Sequence, residues 1–182
     1  MIIALAGRRV DAKGAAPARF PLQNVDQVRE RIRQALLDAK ATGLVASAAC
    51  GADLLALDEA GKLGLRRRIV LPFPRDEFRA GSVIDRPGDW GPLYDRIVDE
   101  VQARGDLVLL EPANDPDEGY WIATKAILDE AQQLAQDSGE GRDQVTAFAV
   151  YDLVPRGEDD LTVKFADEAK RRGLRVVNIA TL

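Results

Sequence analysis

The segment Leu44-Val45-Ala46-Ser47-Ala48-Ala49-Cys50-Gly51-Ala52-Asp53 decides the fold. It begins as a short continuous apolar run, the pattern of a strand buried on both faces. It then passes through small residues into a helical pattern from about Asp53 to Leu63, stopped by Gly64. A strand that feeds directly into a helix is half of a βαβ unit, and such units build parallel sheets.

Working outward, the same alternation recurs. Upstream, Ile2 to Ala6 is an apolar run ending at Gly7, and residues 11–23 are a Pro/Gly/Ala-rich loop. A helix follows from about Val25 to Ala41, with Asn24 or Asp26 as its cap and Val28, Ile32, Ala35, Leu36 and Ala39 on one stripe. Downstream, the pattern predicts a strand over 68–74 closed by two prolines, a turn of helix near 76–80, and a helix over 90–104. A strand over 106–110, an acidic loop over 111–118 and a helix over 119–136 come next. After a polar turn at 137–143 stand a strand over 145–151, a loop over 153–160, a helix over 161–172 capped by Asp159 or Asp160, and a final strand over 175–179. This order predicts an α/β fold, a Rossmann-like three-layer sandwich. Its sheet is mostly parallel, with about six strands and helices on both faces, in a single domain over 1–182.

Composition narrows the chemistry. The 182 residues contain no histidine, which excludes Ser-His-Asp and Cys-His catalysis and imidazole-ligated zinc. One cysteine excludes an intrachain disulfide and a multi-thiolate metal site, so neither metal nor cofactor is expected. No stretch approaches the run of about 18 apolar residues that a membrane helix needs. The opening Met1-Ile2-Ile3 lacks the basic start of a signal peptide, and the expected location is cytoplasmic. A net charge of −5 argues against a dedicated nucleic-acid binder, although 19 of the 25 basic residues are arginine, which suits phosphate.

In an open parallel sheet, ligands bind beyond the carboxyl ends of the strands. Here those positions are Gly7-Arg8-Arg9, Ala49 to Asp53, Phe73-Pro74-Arg75, Glu111-Pro112 and Tyr151-Asp152. The small residues Ala49, Cys50, Gly51 and Ala52 either permit close helix–strand packing or leave room at a helix start, where free amides and the helix dipole favour an anion. Gly7 permits close approach to the backbone, and Arg8 and Arg9 supply bidentate phosphate donors. Asp53 serves as cap or as partner of a ribose hydroxyl, and Tyr120, next to Trp121 at a helix start, offers a stacking wall for a base. Cys50 also fits a small buried side chain, because no histidine is present to activate it. Neither G-x-G-x-x-G nor G-x-x-x-x-G-K-[ST] occurs.

Taken together, Gly-Arg-Arg-Val-Asp at 7–11, Ser-Ala-Ala-Cys-Gly-Ala-Asp at 47–53, Val-Leu-Pro-Phe-Pro at 70–74 with Glu77-Phe78, Ser82-Val83, and Gly-Glu-Asp-Asp-Leu-Thr at 157–162 resemble the SLOG superfamily. That superfamily groups the LOG-like and DprA-like Rossmannoid proteins, and the likeness extends to its uncharacterised bacterial signalling-associated domains. The resemblance implies binding of nucleotides or nucleotide-derived second messengers. In the LOG branch it implies cleavage of the N-glycosidic bond of a nucleoside 5′-monophosphate, through a Pro-Gly-Gly-x-Gly-Thr-x-x-Glu motif. Here that region reads Asn114-Asp115-Pro116-Asp117-Glu118-Gly119, without paired glycines, and Glu118 is at most a distant stand-in for the motif's glutamate. In the DprA branch a turn like 47–53 contacts single-stranded DNA. The leading expectation is therefore a module that senses a phosphorylated nucleotide. The alternatives are a nucleotide N-glycosidase using Glu118, Asp53 or Asp152, and a single-stranded nucleic-acid binder. A homodimer is expected on the frequency of two-fold assemblies, reporting to an effector that the sequence does not identify.

Overall fold

A computed structural model describes residues 1–141 and 143–182. Among these residues the chain forms six strands: β1 (Ile2–Gly7), β2 (Gly43–Ala46), β3 (Arg66–Leu71), β4 (Leu107–Leu109), β5 (Val145–Tyr151) and β6 (Arg175–Ala180). They make one sheet in the order β4-β3-β2-β1-β5-β6, with every pairing parallel. The helices are α1 (Val25–Asp38), α2 (Ala52–Lys62), α3 (Arg75–Ser82), α4 (Gly91–Gln102), α5 (Pro116–Asp137) and α6 (Leu161–Arg171). None of them is long and apolar enough to cross a membrane. The expected Rossmann-like parallel sandwich is the observed architecture.

The continuous apolar runs divide between two cores because side chains alternate across a strand. Ile3 and Leu5 of β1 point to one face, joining Val28, Ile32 and Leu36 of α1, Leu54 and Leu57 of α2, and Ile97 and Val98 of α4. Ile2 and Ala4 point to the other, against Ile127, Leu128 and Leu134 of α5 and Phe165 of α6. A strand covered on both faces needs no polar position, and that is why β1 reads as an unbroken apolar run and β5 as one broken only by Thr146.

Several boundaries differ from the expected ones. Pro116 occupies the first turn of α5, where its missing N–H costs nothing, and the Asp115 carboxylate accepts from the Asp117 N–H at 3.0 Å. The helix therefore begins three residues earlier than its apolar pattern suggests. The turn expected near 76–80 is a full helix, α3. Asn24 flanks α1 without a side-chain cap, because its amide donates instead to the Thr181 carbonyl at 2.9 Å. The polar turn at 137–143 includes Arg142, which lies outside the described residues.

β1 lies between β2 and β5. From β1 the chain builds outward through β2, β3 and β4, then crosses back along α5 to place β5 on the other side of β1. Connections beyond β1 and β5 thus diverge to opposite faces, which opens a crevice at the carboxyl edge of the sheet.

Candidate functional site

A cavity of about 290 Å³ opens at that switch point. Ala6, Gly7, Arg8 and Arg9 reach it from β1 and its loop, Ser47 and Ala49 from the end of β2, and Asp53 from the first turn of α2. Phe78 and Ser82 of α3, Tyr120, Ala123, Thr124 and Ile127 of α5, and Leu161 and Thr162 of α6 complete the walls. Asp11, Arg19, Arg86 and Arg156 stand on the surrounding loops. The lining thus combines an apolar wall with five arginines and two aspartates.

At the floor, two polar side chains have buried atoms without a partner among the described residues, Ser47 Oγ and Asp53 Oδ1. Asp53 is only 6% exposed. Its other oxygen, Oδ2, accepts from the Ala49 N–H at 3.3 Å. Burial pushes the Asp53 carboxyl up to about 7, against the opposing pull of the Ala49 amide and the Arg9 charge.

The arginines fall into two kinds. Arg8 is 3% exposed and tied into a knot. It donates from Nη1 and Nη2 to Asp160 at 2.7 and 2.6 Å, from Nε to Asp152 Oδ1 at 3.1 Å, and to the Val154 carbonyl at 3.1 Å. Asp160 also caps α6, accepting from the Thr162 and Val163 N–H groups, so Arg8 fastens β1 to the start of that helix. Arg19 joins the same knot through Asp152 at 2.7 Å. The rim arginines are freer. Arg9 bonds Asp85 at 2.8 Å and the Gly81 carbonyl at 3.1 Å, Arg86 touches Asp85 at 3.3 Å, and the exposed Arg156 has no ion-pair partner among the described residues.

The structure reassigns several residues chosen from the sequence. Two of the amides at the start of α2 are not open to an anion: Cys50 N–H donates to the Ser82 carbonyl at 3.0 Å and Ala52 N–H to the Arg8 carbonyl at 3.1 Å. Gly51, at φ 99°, caps α2 in the role expected of Asp53. A Cβ there would meet the Arg8 carbonyl oxygen and the Val10 nitrogen at 2.8 Å. The 8–10 segment therefore covers this helix end, and Cys50, Gly51 and Ala52 do not line the cavity. Cys50 is fully buried, and desolvation pushes its thiol up to about 11, so it is packing rather than nucleophile. Gly7 is the last residue of β1, where a Cβ would collide with Ala52 Cβ and lie 2.8 Å from Val150 Cβ. It serves the packing of α2 on the sheet more than ligand approach.

Gly7, Arg8, Arg9, Ala49, Asp53 and Tyr120 do meet at the cavity, whereas Phe73, Glu118 and Asp152 do not line it. Phe73 stands edge-on to Tyr120, with ring centroids 5.2 Å apart, and Tyr120 Oη is 2.8 Å from Ser82 Oγ. Phe73 thus holds the stacking candidate in place instead of touching a ligand. Trp121 packs beneath the Lys125 ammonium, 5.3 Å away, beside α6 residues and outside the cavity. Asp152 is consumed by Arg8 and Arg19. Glu118 is exposed on the first turn of α5. Sequence reasoning assigned no role to Ser47, Ser82, Arg19, Arg86 or Arg156. Ser47 and Ser82 stand within the motifs already singled out, and Arg156 precedes the Gly157 motif. Arg19 carries no local signal.

No known family model matches the chain, and no curated protein does. Among solved structures, DNA processing protein A (DprA) from Streptococcus pneumoniae is similar in fold, with 15% sequence identity and a TM-score of 0.45. The match covers 98% of this chain and 58% of that one, so the chain spans less than two thirds of that protein's length.

Proposed function

We propose that this chain is a SLOG-type module that binds and senses a phosphorylated nucleotide or nucleotide-derived messenger at the β1/β5 switch point. One observation carries the reading: in a chain of net charge −5, five arginines converge on a half-apolar cavity where parallel sheets bind ligands. Phosphate sits at the rim, where Arg9, Arg86 and Arg156 present donors outside the saturated Arg8–Asp160 knot. A base rests on the apolar wall of Phe78, Tyr120 and Ile127. The volume is at the small end of the range of about 300–1,000 Å³ for ligand pockets, which favours a mononucleotide-sized ligand over a polymer.

A thermal-shift screen of nucleoside phosphates and cyclic or ADP-ribose-type messengers tests this. A true ligand at 100 times its Kd adds about 2.7 kcal/mol of stability. Arg156→Ala weakens binding by about tenfold without lowering the melting temperature of the free protein, as expected for an exposed charge with no protein partner. A panel in which nothing shifts the melt overturns the proposal. A second reading, nucleotide N-glycosidase, keeps one supporting observation: the carboxylate buried in the cavity, with a pKa of about 7, is Asp53 rather than Glu118. It requires free base to be released from a nucleoside monophosphate, and Asp53→Asn to abolish that release.

A further inference from the structure

We infer that Ser47 and Asp53 form a floor subsite for the 2′- and 3′-hydroxyls of a ribose, so that the cavity selects ligands with a free vicinal diol. The inference rests on the nucleotide reading above and adds what it leaves open, the sugar.

A buried carboxylate oxygen without a donor is costly, because nothing replaces the water it has lost. Asp53 Oδ1 is such an atom, on a side chain 6% exposed that lines the cavity, and Ser47 Oγ, on another lining residue, is a second one. Among the described residues Asp53 receives only weak support: the Ala49 N–H donates to Oδ2 at 3.3 Å, and the Gly7 amide adds a smaller pull on the carboxylate. This pair therefore offers one acceptor that must receive a hydrogen and one hydroxyl able to give or take one. Both oxygens are sealed from water as the side chains stand. Once the two side chains turn toward the space they line, two adjacent hydroxyls meet both needs, one donating to Asp53 Oδ1 and the other exchanging a bond with Ser47 Oγ.

The surroundings decide against other donors. An ammonium group is disfavoured by the five arginines that line the same cavity. A base edge belongs on the apolar lining built by Phe78, Tyr120 and Ile127 from α3 and α5. At the floor the neighbours are Ala6, Gly7 and Ala49, which leave space for a sugar but give a planar ring no aromatic partner. With the sugar on the floor, the 5′-phosphate points outward to the arginines.

Isothermal titration of the purified chain at about pH 8, where Asp53 is ionised, tests the assignment. The probes are the four ribonucleoside 5′-monophosphates and their 2′,3′-dideoxy counterparts. Each ribonucleotide that binds is expected to outbind its dideoxy form by about 10- to 100-fold, the effect of stranding a buried charged acceptor. Asp53→Asn and Ser47→Ala shrink that preference to about threefold or less by weakening the ribonucleotide while sparing the dideoxy form. The wild-type comparison stands even if a variant fails to fold. Equal affinity for both sugars, or selection by base alone, overturns the diol subsite and leaves nucleotide binding intact. Absence of binding by every monophosphate overturns the inference together with the reading beneath it.

Discussion

Asp160 and Asp53 are both buried aspartates at the start of a helix, on the same edge of one sheet, and their surroundings are opposite. Asp160 is 2% exposed, and its two oxygens accept from both Nη atoms of Arg8 and from the N–H groups of Arg156, Thr162 and Val163. Burial alone raises a carboxyl, yet here Arg8 and the Arg156 amide prevail and hold Asp160 below its ordinary range. Asp53 has only weak amide support, from Ala49 and Gly7, and burial prevails, carrying it up to about 7. A carboxylate whose lone pairs are all used by the protein is architecture. One left with an orphan oxygen in a cavity awaits a donor from outside.

The largest expected effect follows from breaking the saturated member. Asp160→Ala removes the two shortest bonds of the buried Arg8 guanidinium, leaving it Asp152 and the Val154 carbonyl, and uncaps α6, and the expected loss is about 3 kcal/mol of folding stability, of which the cap accounts for about 1. Urea titration at unchanged m-value measures it. A loss below about 1 kcal/mol would show the knot to be incidental.

The unsaturated member predicts the opposite sign. A carboxyl raised in the folded state binds a proton that the unfolded chain has already released, so its ionisation destabilises the fold as pH rises from about 4 to about 7. Asp53→Asn removes that burden: it stabilises the unliganded protein by roughly 2–4 kcal/mol at about pH 8, with little change near pH 4. Denaturation midpoints at the two pH values check this, and an equal effect at both would detach the change from ionisation. Stability gained together with lost ribonucleotide binding is the mark of a site maintained at the expense of the fold.

This contrast was half legible in the sequence. The strands were, because a sheet covered on both faces requires apolar runs such as Ile2 to Ala6 and Val145 to Tyr151, and no side-chain partner has to be known to recognise them. The location of the site was too, since the topology of a parallel sheet sets the edge at which ligands enter. Arg8 marks the limit of local sequence. Its partners Asp152 and Asp160 lie 144 and 152 residues downstream, and no local pattern tells a phosphate clamp from an arginine already paired. The small residues at 49–52 fit either an anion or close packing, and the structure shows the 8–10 backbone against them. Small residues announce close approach and leave open whether a ligand or the chain itself approaches. Ser47 and Asp53 were visible as residue types, but only the fold shows that their oxygens lack partners.

The smallest expected effect concerns a third carboxylate, and it completes the contrast. Glu118 lies in the first turn of α5, exposed, outside the cavity lining, at a helix whose cap is already made by Asp115. It has neither the bonds of Asp160 nor the burial of Asp53, and its remaining influence is attraction to the helix N-terminus. Glu118→Gln should therefore cost no more than about 0.5 kcal/mol of stability. It should leave nucleotide affinity unchanged within about twofold, since exposed charges outside the contact are worth little. Calorimetric melting and titration of the same preparation measure both. If Glu118→Gln abolished binding or base release, α5 would have to bring its first turn over the cavity when ligand is present. The chemistry would then belong to the sequence position of the LOG glutamate rather than to the floor at Asp53.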